Sequence, residues 1–250
     1  MLSAAEEGTK KMYLDDFTLL TCKAEVVKIS ETDEGCTLEL DQTCFYPGGG
    51  GQPCDVGRIT WENGVLNIKK VQKNLDGIVE HYGELEGCAP RIGSDVECYV
   101  DADARRYHSR LHSAGHLLDL SVERAGYTWK PGRGAHHPDM AFVEYEGEFD
   151  SQSAETYRHA IQKQIDAITK TGGKVSVARV KPEEARRRSS YIPESILKKY
   201  DLIHLATYNG TFDICCGGTH VSEISDIDAV EVTKVKKKNG VIRVSYKVAP

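Results

Sequence analysis

The chain has 250 residues, 40% of them hydrophobic and 28% charged, with a formal net charge of −6. That composition describes a packed globular protein with room for one large domain or two modest ones, and it excludes a wholesale basic coat of the kind that wraps nucleic acid. No run approaches ~20 consecutive apolar residues, and the N-terminal stretch MLSAAEEGTKKMYLDDF has no apolar segment of the secretory kind, so neither a membrane span nor a signal peptide is expected.

Residues 1–100 read as all-β. CKAEVVKIS (22–30) and CTLELDQT (36–43) are strand-like and joined by polar residues, and GRITWENGVLNIKKV (57–71) is a hairpin signal around ENG. HYGELEGCAPRIGSDVECYVD (81–101) adds a Gly/Pro turn and another strand, and many short strands with frequent turns suggest a small barrel. The pattern then changes. Residues 101–126 predict a helix, with Tyr107, Leu111, Ala114 and Leu118 on one face and Gly126 as its stop. Residues 151–173 predict a second, capped by Ser151 or Ser153, with Tyr157, Ile161, Ile165 and Ile168 on one face and Gly172–Gly173 at its end. DMAFVEYEGEFD and KVSVARV (174–180) are strand-like, and residues 231–248 form a closing hairpin with Asn239–Gly240 at its tip. Residues 101–250 are therefore expected to be α+β.

The segment LDQTCFYPGGGGQPCDVG (40–57) carries four consecutive glycines. Composition alone reads it as a flexible barrel loop, while Gly49, Gly50 and Gly51 would also let a backbone without Cβ atoms approach a ligand closely. It is not a phosphate-binding P-loop, because no Gly-Lys-Ser/Thr and no helix pattern follow. Basic clusters occur at 185–190, 197–200 and 234–240. Each alone reads as a solvated face, although a local positive patch suffices to grip one end of a nucleic acid.

Metal chemistry is suggested by two segments. The first helix carries His108, His112 and His116, and residues four apart stand one above the other, about 6 Å apart along the axis. His108 and His116 are about 12 Å apart on the same axis, too far to share an ion bound at ~2 Å, so the pair is His108/His112 or His112/His116. CCGGTH (215–220) places a cysteine and His220 around a Gly–Gly turn that can face both at one point. Two imidazoles from a helix with a thiolate and an imidazole from a turn form a Cys-His₃ set suited to zinc. The eight cysteines are scattered apart from Cys215 and Cys216, and reduced thiols in a cytoplasmic setting are expected.

FYPGGGGQPCDVG, HSAGH and CCGGTH stand in that order, and the order closely resembles the editing region of alanyl-tRNA synthetases and of the free-standing AlaX trans-editing proteins, over residues 13–248. The stretch shows no aminoacylation core, so a compact stand-alone editor is expected. The resemblance implies a translation-factor-like β-barrel over 1–100, followed by an α+β editing domain over 101–250 shared with threonyl-tRNA synthetases. It implies ATP-independent hydrolysis of tRNA(Ala) mischarged with serine or glycine, at a zinc ion held by His112, His116, Cys216 and His220. Thr43 and Gln52 match the family's threonine associated with the serine hydroxyl and its glutamine after the glycines. Arg186, Arg187, Arg188, Lys198 and Lys199 are the candidate contacts to the tRNA acceptor end. No general base is assigned; His136 and His137 in GRGAHHPD are candidates, with a surface loop as the favoured reading. Two other classes remain open at this point, an RNA-binding module with a structural zinc and a metallohydrolase of small esters.

Overall fold

The computed structural model describes residues 8–32, 35–189 and 191–249. The chain divides into two compact units, Met1–Gly49 with Pro53–Arg106, and Gly50–Gln52 with Tyr107–Pro250. No helix among the described residues is long and apolar enough to cross a membrane.

The first unit contains β1 (Lys10–Lys11), β2 (Thr21–Thr32), β3 (Gly35–Leu40), β4 (Gln42–Thr43), β5 (Gly57–Trp61), β6 (Gly64–Lys73), β7 (Val79–Gly87) and β8 (Asp95–Val100). Six of these strands close into a barrel in the order β2-β3-β7-β6-β5-β8, while β1 and β4 make a short parallel pair. Side chains alternate in and out along a strand, so Ala24 and Val26 of β2 and Val96, Cys98 and Val100 of β8 face a core filled by Leu38, Phe45, Ile59 and Leu66. The strand-like run 36–43 breaks at Asp41, whose carboxylate accepts the backbone N–H groups of Glu25 (2.7 Å) and Gln42 (2.8 Å). The Glu62–Asn63 turn joins β5 to β6, with Trp61 paired to Gly64.

Helix α1 (Ala102–Arg124) begins in this unit. Asp101 caps it, accepting from the N–H groups of Asp103 (3.1 Å) and Ala104 (2.9 Å). Arg105, in its first turn, is buried against Asp55 and donates from Nε to both carboxylate oxygens (2.9 and 3.1 Å). Its other nitrogens reach Asp55 again, the carbonyl of Cys44 (2.8 Å) and the carbonyls of Phe17 and Leu19. Asp55 also accepts from the Tyr46 N–H (2.6 Å), so the ion pair pins the segment that leads into and out of the glycine run.

The second unit contains the rest of α1, then β9 (Lys130–His137), β10 (Met140–Glu146), α2 (Ala154–Thr171), β11 (Val175–Val180), α3 (Pro182–Arg188), α4 (Glu194–Lys199), β12 (Ile203–Tyr208), β13 (Phe212–Cys215), β14 (Val230–Lys238) and β15 (Val241–Val248). A four-stranded sheet runs β14-β15-β10-β9 and a three-stranded one β11-β12-β13, both with antiparallel pairing throughout. The fold is thus a mixed α+β structure with an N-terminal six-stranded barrel. The closing hairpin turns at Asn239 and Gly240, both with positive φ (51° and 85°), which matches the sequence expectation. Ile161, Ile165 and Ile168 form the buried stripe of α2, but Asp150 rather than a serine caps the single 3₁₀ turn preceding it, accepting from the Gln152 N–H (3.0 Å).

Two expectations change. GRGAHHPD is not a surface loop: residues 130–137 form β9, paired with β10 through a two-residue Pro138–Asp139 turn. In addition, α1 is buried all round from Ser109 to Val122 rather than along one face. Its polar residues therefore lie inside the protein, where each needs a partner.

Replacing Asp55 with Ala leaves the buried Arg105 guanidinium without its carboxylate. Such a change is expected to destabilise the protein by about 3–5 kcal/mol, measured by urea unfolding against wild type.

Candidate metal centre

His112 and His116 stand one turn apart on the buried stretch of α1. The other half of the site follows β13. Cys216 leaves the strand, and the turn through Gly217 and Gly218 brings back His220. The donor atoms of His112, His116, Cys216 and His220 all lie within 4.8 Å of one another. Tetrahedral bonds of ~2.0 Å to nitrogen and ~2.3 Å to sulfur place donors about 3.3–3.8 Å apart, so only a small contraction separates this cluster from a coordination shell. His108 is outside the cluster, and of the paired thiols it is Cys216 that faces the imidazoles, with Sγ 3.4 Å from Nε2 of His112. Cys215 instead packs against the small core of β11, β12 and the short helices.

The surroundings set which nitrogen is available on each ring. Thr219 donates its backbone N–H to Oε1 of Gln52 (3.0 Å), and the Gln52 amide nitrogen donates back to Oγ1 of Thr219 (2.7 Å). Oε1 also lies 2.7 Å from Nδ1 of His112, and a carbonyl oxygen only accepts, so Nδ1 carries the proton and Nε2 turns its lone pair toward Cys216. Oγ1 of Thr219 meets Oγ of Ser109 at 2.7 Å, tying the turn to α1. Asp119 lies 3.6 Å from Nδ1 of His116 and accepts from the Tyr145 hydroxyl (2.8 Å). Nε2 of His116 is buried with no hydrogen-bond partner among the described residues. Gly218 makes this packing feasible, since a Cβ there would stand 2.2 Å from Cε1 of His112 and 2.8 Å from Oε1 of Gln52.

The electrostatics favour a ligating sulfur. Burial pushes the Cys216 thiol up, but the imidazoles of His112, His220 and His116 outweigh it and hold the thiol well below its usual range. His220 is lowered to about 4, chiefly by burial. Burial also lowers His116, yet attraction to Cys216 and Asp119 raises it to about 9. One thiolate and three imidazoles, with a buried nitrogen lacking any partner, fit a resident divalent ion of the zinc type.

The other residues singled out in the sequence are placed as follows. Gly50 and Gly51 belong to the second unit with Gln52, while Gly49 belongs to the first, its carbonyl accepting from the Tyr46 hydroxyl (2.8 Å). Gly51 has φ +83° and a Cβ there would lie 2.4 Å from the Gly134 carbonyl, so this position requires glycine. Thr43 is buried in the barrel unit, with Oγ1 2.8 Å from Nε2 of His81 and accepting from the Phe45 N–H. Arg186 pairs with Glu194 (2.7 Å), and Arg188 with Asp213 (2.8 Å) and Glu184 (3.2 Å). Arg187, Lys198 and Lys199 are exposed and make no ion pair among the described residues.

The sequence offered His136 as a candidate base but favoured a surface loop, and the structure corrects that placement. His136 is buried, its ring stacks on His112 with centroids 4.9 Å apart, and its backbone N–H donates to Gly51 (2.8 Å). The signal was present in the Pro-Asp dipeptide between GAHH and MAFVEYE, which marks a hairpin.

Comparison with known proteins agrees with this architecture. Residues 5–104 match the family described as tRNA synthetases class II (A), and residues 208–244, which contain Cys216 and His220, match the threonyl and alanyl tRNA synthetase second additional domain. The class is thus that of the accessory regions of class II tRNA synthetases. Over 92% of both chains the protein is 27% identical to the alanyl-tRNA editing protein AlaX-M of Methanosarcina mazei. It is 26% identical to the alanine–tRNA ligase of Methanopyrus kandleri and 28% identical to that of Archaeoglobus fulgidus, over 95% and 96% of this chain. It spans about a quarter of the length of those ligases, 26% in each case. The chain is thus similar over nearly its whole length to an alanyl-tRNA editing protein, and at its two ends to regions of class II tRNA synthetases.

Replacing Gln52 with Ala removes the acceptor that orients His112. The expected result is a 10–100-fold weaker affinity for zinc, read by chelator competition, with the far-UV spectrum unchanged.

Proposed function

We propose that this chain is an aminoacyl-tRNA deacylase acting in the cytoplasm, which hydrolyses the ester joining serine or glycine to the acceptor end of tRNA(Ala). Water adds to the ester carbonyl and the ribose hydroxyl leaves, giving free amino acid and free tRNA without ATP. The observation that carries this reading is the buried Cys-His₃ cluster, half of it within the segment that matches the synthetase second additional domain.

The chemical need is a matter of one hydroxyl. A small apolar pocket that accepts alanine rejects an isostere bearing an added hydroxyl by only about 10². A second site that pairs with that hydroxyl is disfavoured for alanine, whose methyl leaves the pairing group unsatisfied at a cost of about 1–3 kcal/mol.

His112, His116, Cys216 and His220 would hold the zinc ion, with Gln52 and Asp119 fixing the rings of His112 and His116. Zinc when bound supplies a positive centre that orients the aminoacyl group or polarises its surroundings. Gly50 and Gly51 present main chain without Cβ atoms beside Gln52, which suits close approach of a ligand. The acceptor stem would meet Arg187, Lys198 and Lys199, the cations of the two short helices not spent on internal pairs among the described residues.

The decisive measurement compares release of amino acid from Ser-, Gly- and Ala-tRNA(Ala) by the wild-type protein and by Cys216→Ala. Wild type is expected to release serine or glycine and spare alanine, and Cys216→Ala to lose at least tenfold in rate together with its zinc. Equal turnover by a folded, zinc-free Cys216→Ala protein would refute the proposed role of the centre. Neutralising Arg187, Lys198 and Lys199 together is expected to weaken binding of all tRNAs alike and to flatten its dependence on salt, measured by titration at several ionic strengths.

A further inference from the structure

The hydroxyl that separates serine from alanine needs a reader, and the residues matched to that task in the sequence already hold partners within the protein. Oε1 of Gln52 accepts from both Thr219 and His112, and its amide nitrogen donates to Thr219. Oγ1 of Thr43 is engaged with His81 and with the Phe45 N–H.

His136 has a free acceptor at the right kind of place. The Tyr246 hydroxyl donates its single proton to the Leu111 carbonyl (2.8 Å), so toward Nδ1 of His136, 2.6 Å away, it acts only as an acceptor. Nδ1 therefore carries the ring proton, and Nε2 is left with a lone pair and makes no hydrogen bond among the described residues. Two glycines clear the space around this ring. A Cβ at Gly115 would stand 2.4 Å from Cε1 of His136, and one at Gly134 would stand 2.7 Å from Nε2 and cover it. Gly51, whose carbonyl accepts the His136 backbone N–H, lies against Gly134 closely enough that its own Cβ would clash. The ring stacks on His112 at 4.9 Å and lies 6.5 Å from that of His116, so the imidazole borders the candidate metal cluster.

We propose that His136 determines specificity, its Nε2 accepting a hydrogen bond from the side-chain hydroxyl of a seryl group held at the metal centre. The inference rests on the deacylase reading and names the residue that reads its substrate. A serine side chain extends one bond beyond Cβ, so an amino acid placed at the cluster brings its hydroxyl within reach of a ring stacked on a ligand.

The test uses the zinc-loaded full chain and two non-hydrolysable probes, adenosine carrying a seryl or an alanyl group through a 3′-amide, titrated by calorimetry. Wild type is expected to bind the seryl probe about tenfold more tightly than the alanyl one. His136→Leu is expected to bring the two affinities together, whereas His136→Gln, which returns a carbonyl oxygen near the place of Nε2, retains a preference. Tyr246→Phe frees the ring to carry its proton on Nε2 and narrows the ratio while leaving the imidazole in place, so it decides the matter if His136→Leu loses its fold. An unchanged ratio in His136→Leu or, failing that protein, in Tyr246→Phe would overturn the proposal, as would an equal loss for both probes. If wild type still releases serine from Ser-tRNA(Ala), only the role of His136 falls. If wild type releases no amino acid and binds neither probe, the deacylase reading falls and this inference with it.

Discussion

The contact between Nδ1 of His112 and Oε1 of Gln52 governs the arrangement of the candidate metal centre. Gln52 follows directly on the glycine run, His112 is in the middle of α1, and the same amide holds Thr219 in the turn between Cys216 and His220. One side chain thus fixes three separate stretches of chain and sets the tautomer of a ligand. Gly218 has no Cβ because that space is filled by His112 and Gln52. Remove the amide and the imidazole can rotate, the thiolate loses its nearest nitrogen and the turn loses its anchor.

This constraint follows from burying polar groups. From Ser109 to Val122 helix α1 is enclosed, yet it carries Ser109, His112, Ser113, His116, Asp119 and Ser121. A buried polar atom without a partner costs about 1–3 kcal/mol, so almost every one is paired: Ser109 with Thr219, His112 with Gln52, Ser113 with the Val221 N–H, Asp119 with Tyr145, Ser121 with the Leu117 carbonyl. Nε2 of His116 is the exception, and it lies within the group of donors that includes a thiolate. Binding of an ion there would couple metal affinity to folding, since the ligands come from a helix and a turn separated by about a hundred residues of sequence.

His136 shows how a buried strand residue can be read from sequence as part of a surface loop. Its strand is written KPGRGAHH, whose proline, glycines and basic residues have poor strand propensity. Pairing with β10, where Phe142 meets Ala135 and Ala141 meets His136, overrides that propensity. Gly134 leaves room for the imidazole of His136, since a side chain there would strike that ring. The basic cluster at 186–188 teaches the converse lesson. Three consecutive arginines look alike in sequence, but the turns of α3 direct Arg186 to Glu194 and Arg188 to Asp213, leaving Arg187 as the one not engaged in an ion pair among the described residues.

The sequence by itself determined the α+β class, the barrel strands, the two long helices, the closing hairpin and the metal-ligand types, because alternation, helical spacing and turn residues act over a few positions. Spacing on α1 also limited the histidine pair to two choices. Spacing left Cys216 against Cys215 and the place of His108 open, and only the family resemblance chose among them before the structure brought Cys216 to His112; the tertiary structure alone set Gln52 against His112 and drew His136 in from an apparent loop. Those decisions depend on which lone pairs and N–H groups meet after residues far apart in the chain have been buried together, and local patterns carry no record of that meeting.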